Sequence, residues 1–101
     1  MDYNQKYLDI VKNELLKLSD GTNATIYLYG SRATGTYRQG SDIDIGIEGL
    51  NTEDFLKLRN SFIDYIEESI VPSEVDVVNF SEADAQFVKT AKQGAILWKT
   101  A

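Results

Sequence analysis

Apolar residues recur along this chain with two different periods, and the changes of period mark the elements. From Tyr3 to Leu18 they fall at Tyr7, Leu8, Val11, Leu15 and Leu18, with Lys and Glu between them, which predicts an amphipathic helix. Ser19-Asp20-Gly21 is its stop signal. Ala24 to Tyr29 is β-branched and aromatic and ends at Gly30, which predicts a strand. Asp42 to Glu48 alternates, with Ile43, Ile45 and Ile47 on one face and Asp42, Asp44, Gly46 and Glu48 on the other. Asn51 is placed to cap a long helix reaching about Ser69. Asp54 stands at N3 in a variant of the capping box, and Leu50 and Phe55 take the positions of a hydrophobic staple. The expected buried stripe is Phe55, Leu58, Phe62, Tyr65 and Ile66. Pro72 breaks the connection. Glu74 to Phe80 then reads as a third strand, with Val75 and Val77 opposite Glu74, Asp76 and Val78. Ser81, with Asp84 three residues on, predicts the start of a last helix through about Lys92, with Gly94 as its C′ stop. Ala95 to Trp98 is a short apolar tail suited to an edge strand.

The order αβ(α)βαβα, with no repeat, low-complexity segment or linker, predicts one domain over residues 1–101. Its class is α/β (α+β), a small mixed sheet flanked by helices. At 101 residues it can bury a single core. The net charge of −6 argues against a broad grip on DNA or RNA, which needs clustered Lys and Arg. A compact anion such as a nucleoside triphosphate remains compatible if a metal screens the charge. The chain has no cysteine, which excludes disulfides and thiolate chemistry. It has no histidine either, which excludes Ser-His-Asp triads and Cys/His zinc sites. Catalysis is left to carboxylates, Ser/Thr, Tyr, Lys/Arg and bound metal. No signal-peptide-like segment or long apolar run is present, so no membrane association is expected and the cytoplasm is the expected location.

Chemistry concentrates between residues 30 and 44. Asp42 and Asp44, two apart on a strand, point to one side with Cα atoms roughly 6.5–7 Å apart. Carboxylates aimed at one spot repel unless a cation lies between them, and hard oxygen ligands favour Mg²⁺ or Mn²⁺. Such a pair can bridge two ions in a phosphoryl-transfer site. A lone pair of this kind also reads as the water-facing edge of an amphipathic strand, and the isoleucine alternation fits either reading. Gly30-Ser31 directly follows a strand, where glycine permits close backbone approach. Free N–H groups of the next turn and the Ser31 hydroxyl would suit phosphate oxygens. An ordinary strand-to-helix turn would look the same. A P-loop is excluded, because Gly30 and Gly35 have the spacing but Thr36-Tyr37 stands where Lys-Ser/Thr is required. Asp76, set among valines, is the candidate third carboxylate, with Glu74 on its face as a competing ligand. Arg32 is the better-placed cation for a triphosphate, and Arg38 reads equally as exposed loop charge. Ser41 either contacts the nucleotide or holds the turn.

Taken together, G-S-x(9)-S-D-I-D followed by a V-D-V strand resembles the DNA polymerase β-like nucleotidyltransferase superfamily, and within it the minimal nucleotidyltransferases (MNT). The resemblance covers nearly the whole chain. It implies a polymerase β-like core, with Gly30, Ser31, Arg32 and Ser41 toward the nucleotide. It makes Asp42, Asp44 and Asp76 the catalytic carboxylates and metal ligands, for two Mg²⁺ ions or for Mn²⁺. Many relatives carry Arg at the position of Thr34, a departure that puts the strength of nucleotide binding in question. The implied reaction moves a nucleoside monophosphate, AMP from ATP, to an acceptor hydroxyl and releases pyrophosphate. With no second domain to bind an acceptor, the acceptor is expected on a separate protein. MNT proteins often pair with a small helical HEPN-type protein as a toxin–antitoxin-like system, which would make this chain a type VII-like antitoxin that adenylylates its partner. A competing reading is a non-catalytic module that masks a helical partner, with nucleotide as a structural ligand. A third is a small-molecule nucleotidyltransferase of the aminoglycoside-modifying kind, for which a homo-oligomer would build the acceptor pocket between subunits. Tyr27, Tyr37, Phe80 and Trp98 are candidates for an interface, although core packing explains more of them.

Overall fold

The computed structural model describes residues 3–38 and 40–101. Its elements are α1 (Tyr3–Ser19), β1 (Thr25–Tyr29), α2 (Ser31–Thr34), β2 (Ile43–Glu48), α3 (Thr52–Glu67), β3 (Val75–Asn79), α4 (Ala85–Lys92) and β4 (Ile96–Lys99). The four strands form one mixed sheet in the order β3-β2-β1-β4. β1 runs antiparallel to both β2 and β4, and β2 runs parallel to β3 across the α3 crossover.

The alternation read from the sequence decides which face of the sheet is covered. Ile26, Leu28, Ile43, Ile45, Ile47, Val75 and Val77 point to one side and are buried with Leu8, Val11 and Leu15 of α1 and Phe55, Leu58, Phe62 and Ile66 of α3. Full burial of a side chain such as Phe62 contributes about 2–3 kcal/mol, so this layer supplies most of the drive to fold. Asn51 caps α3 as expected, its side chain accepting from the Asp54 N–H at 2.8 Å. Tyr65 departs from the expected stripe and is 46% exposed, because α3 turns that side to solvent.

The start of α4 also differs from expectation. Asp84 is its N-cap, accepting from the Phe87 N–H at 3.0 Å. Ser81 does not cap it. The Asn79 carbonyl accepts from the Glu82 and Ala83 N–H groups in a turn, and the Ser81 hydroxyl accepts from the Gly49 N–H. The tail forms the edge strand β4 beside β1.

On the second face an aromatic group takes the place of a helical layer. The Phe80 ring is buried above Gly46, with Tyr29 and Tyr27 at centroid distances of 5.3 and 6.0 Å. A Cβ at residue 46 would overlap that ring. Glycine in the middle of an otherwise regular strand therefore marks a close approach. Replacing Gly46 with Ala should cost about 1–3 kcal/mol through overpacking. Thermal denaturation should show Tm lowered by roughly 5–20 °C.

Candidate active site

The open face of the sheet carries the ionisable residues at one end. Register sets Asp44 opposite Tyr29 on one side and opposite Asp76 on the other. Asp44 and Asp76 are therefore neighbours on adjacent parallel strands, with side chains on the same face. Asp42 lies one residue before β2 and is exposed. Glu74, the competing ligand, also precedes its strand and is exposed, and its carbonyl accepts from the Ile43 N–H at 2.9 Å.

Three negative charges gathered at one strand end repel. Burial raises the Asp44 carboxyl above its ordinary value, and the charges of Asp76 and Asp42 push it further in the same direction. A carboxyl whose folded pKa is raised contributes stability that is full below its unfolded value of 3.8 and is lost as pH rises through the folded value. Ionised Asp44 thus weakens the fold at neutral pH. The group is only partly buried and solvent screens its charge, so Asp44→Asn should raise Tm at pH 7 by only about 1–3 °C and flatten the loss of stability above pH 4, as read by thermal melts across pH. Tyr29 feels the same field. Burial, then Asp44 and Asp76, push its phenol to about 12, so it remains a neutral wall of the site.

Gly30 brings the turn against these acids. Its φ of +73° lies in the left-handed region, and a Cβ there would stand 2.5 Å from Asp44 Oδ2. Any larger residue would push the carboxylate out of place. Beyond Gly30 the turn closes on itself. The Ala33 and Thr34 N–H groups donate to the Gly30 carbonyl, and those of Gly35 and Thr36 to the Ser31 carbonyl. The Ser31 and Arg32 N–H groups do not take part in these bonds.

Arg32 does not face the acids. Its side chain is buried at 8% exposure and clamps three segments together. The guanidinium donates to Asn4 Oδ1, to the Ser41 carbonyl at 2.6 Å and to Ser73 Oγ at 2.9 Å, and stacks 4.8 Å from the Tyr37 ring centre. Its Nη donors are engaged by α1 and by the loops before β2 and β3, while Nε is buried with no hydrogen-bond partner among the described residues. Ser41 holds the turn as well, its hydroxyl accepting from the Arg38 N–H at 3.0 Å. Arg38 is exposed. Tyr37 packs on the clamp, Trp98 is partly buried against the core, and Phe80 belongs to the second-face aromatic group.

The donor set fits a hard divalent cation by chemistry, being carboxylate oxygen throughout on one face. Among the described residues, no three His, Cys, Asp or Glu side chains are drawn together at metal-ligating spacing. Sequence reasoning missed Tyr29 as a wall of the site and the Gly46–Phe80 contact. A glycine interrupting three isoleucines was the available signal for the second.

Residues 8–97 match the family model of the nucleotidyltransferase domain. No curated protein matches the sequence. Among solved structures, a toxin–antitoxin with AMP-PNP is 23% identical, with TM-score 0.64 over 89% of this chain and 73% of that chain. A tri-AMPylated Shewanella oneidensis HEPN toxin in complex with MNT antitoxin is 19% identical, with TM-score 0.61 over 92% and 72%. The toxin–antitoxin MntA-HepT is 19% identical, with TM-score 0.60 over 92% and 73%. At these identities the likeness is one of fold, and the sheet order and helices of this chain agree with a polymerase β-like core. With the family match running through nearly every element, the chain belongs to the nucleotidyltransferase domain family.

Proposed function

We propose that this chain transfers AMP from ATP to a hydroxyl of a small helical HEPN-type protein, as the antitoxin of a cytoplasmic pair. The observation that carries the reading is the placement of Asp44, in register with Asp76 and in contact range of the Gly30 turn. Donor, metal ligands and proton acceptor then share one strand end. The structural neighbours that hold AMP-PNP or an AMPylated HEPN toxin support the choice of nucleotide and partner.

Asp42 and Asp44 would hold the divalent cations, Mg²⁺ or Mn²⁺, with Asp76 completing the set. Bound metal supplies positive charge that lowers the acceptor hydroxyl's pKa and stabilises the departing pyrophosphate. The chain's own residues do the rest. Gly30 lets the phosphates approach, and the Ser31 and Arg32 N–H groups with the Ser31 hydroxyl orient them. Asp76 takes the proton as the acceptor oxygen bonds to the α-phosphorus and the bond to the β-phosphate bridging oxygen breaks. Neutral Tyr29 adds no charge to a crowded site. Ser41 and Arg32 act through the loop they hold, and the loss of the family Arg at Thr34 leaves the phosphates to the turn.

No helix among the described residues is long and apolar enough to cross a membrane. The test of the reading is stoichiometry. With ATP and Mg²⁺, one equivalent of chain should inactivate many equivalents of the partner, and the partner should stay inactive once the chain is removed. Neutralisation that stops at one-to-one and reverses on separation would replace catalysis with masking.

A further inference from the structure

The phosphate turn opens sideways into a groove that the transfer step does not use. Its cavity of about 270 Å³ lies between the turn and α4, and Ala91 lines it together with Tyr29, Gly30, Thr34, Phe87, Thr90 and Gln93. That volume falls below the roughly 300–1,000 Å³ of sites that enclose a whole drug-sized ligand. It suits one ring system with the remainder of the ligand outside. Gly30 belongs to both the groove and the turn, so a ring in the groove is joined to groups lying on the turn.

The walls say what kind of ring. None of them carries a charge. Neither lysine of α4 lines the groove, and Lys92 is bound to Glu48 at 2.9 and 3.1 Å. Polar reach comes from the Thr90 hydroxyl, the Tyr29 phenol and the Gln93 amide, since the Thr34 hydroxyl is engaged with the Gly30 and Ser31 carbonyls and the Thr36 hydroxyl. Phe87 is the largest surface, 43% exposed, and is fixed edge-on by Tyr29 and Phe80 at centroid distances of 6.1 and 6.3 Å. One side of Phe87 packs on Tyr29 and Phe80, and its exposed part lines the groove. A rigid, exposed aromatic ring beside a carbon-lined slot is a stacking platform for another flat, uncharged ring.

We propose that this groove seats the base of the nucleoside triphosphate, with Phe87 stacking on it. The inference rests on the nucleotidyl-transfer reading above. It assigns base recognition to α4, and with so few polar groups it makes stacking the main source of affinity and the Gln93 amide the main source of selectivity.

The test separates the base from the phosphates. Calorimetric titrations would compare Mg²⁺–ATP with Mg²⁺–tripolyphosphate on the wild-type chain, on Phe87→Ala and on Ala91→Trp, which fills the groove while keeping Phe87. Circular dichroism melts check folding, since Phe87 packs on Tyr29 and Phe80 and Ala91 is partly buried. Stacking loss predicts ATP bound about tenfold or more weakly by each variant. Tripolyphosphate should bind all three proteins within about twofold of one another. ATP affinity unchanged in both variants would overturn the base assignment and leave the transfer reading standing. Equal loss of both ligands would also overturn it, making Phe87 a support of the turn. A wild-type chain that binds neither ligand would defeat the transfer reading itself, and this inference with it.

Discussion

Changing Asp42 and Asp44 together to Asn should abolish nucleotide transfer while the protein stays folded and becomes slightly more stable. The two residues sit before and at the start of β2, where they share one strand end with Asp76. Amides keep the size of the side chains and lose the charge that would hold divalent cations. Several kcal/mol of transition-state charge stabilisation go with it, so the rate should fall by roughly 10³-fold or more. Stability should move the other way, because burial and mutual repulsion already raise the Asp44 carboxyl. Opposite signs in the two assays are the diagnostic result. Loss of activity with a lowered Tm would make the pair structural, and retained transfer would remove these carboxylates from the chemistry.

Arg32→Ala should instead unfold the protein more readily. The guanidinium is buried and donates to Asn4, the Ser41 carbonyl and Ser73 Oγ from three separate segments. A fully buried acceptor stripped of its donor costs about 1–3 kcal/mol, and these three are part-buried, so each falls at the low end. A total of about 3 kcal/mol is expected, which lowers Tm by roughly 12–24 °C in a domain of this size. Arg32→Lys should recover only part of it, because an ammonium cannot reproduce the fork. Chemical and thermal denaturation read both variants. A residue serving only to grip nucleotide would leave Tm unchanged and weaken ATP binding, which is the outcome that would reverse this assignment.

The contrast between these two variants shows what could be read from the chain alone. Periodicity was enough for α1, α3, β2 and β3, because burial on one face leaves a repeat that survives without knowing the partner, whereas β1 and β4 were read from apolar composition. Ile43, Ile45 and Ile47 report a covered face whatever covers it. The pairing of Asp44 with Asp76 is a matter of register, and only the resemblance brought these acids together in advance. The clamp made by Arg32 was hidden for a related reason. The place of Arg32 beside Gly30-Ser31 in the chain suggested a phosphate ligand, and its direction is fixed by α1 and Ser73, far away in sequence. Ser81 looked like a cap until the Gly49 N–H competed for its hydroxyl, and Asp84 took the role. The Phe80 ring over Gly46 left a trace that local patterns do not decode, since a missing side chain on one strand says nothing of which ring fills the space.

The central claim is that the α-phosphate of a nucleoside triphosphate moves to a partner protein. The most direct measurement incubates the purified chain and its co-encoded helical protein with Mg²⁺ and ATP radiolabelled either at the α- or at the γ-phosphate. Label on the partner from α-labelled ATP only, absent with the Asp42→Asn/Asp44→Asn variant, is the predicted result. Label from γ-labelled ATP, or no label on a partner that nevertheless forms a stable complex, would contradict it.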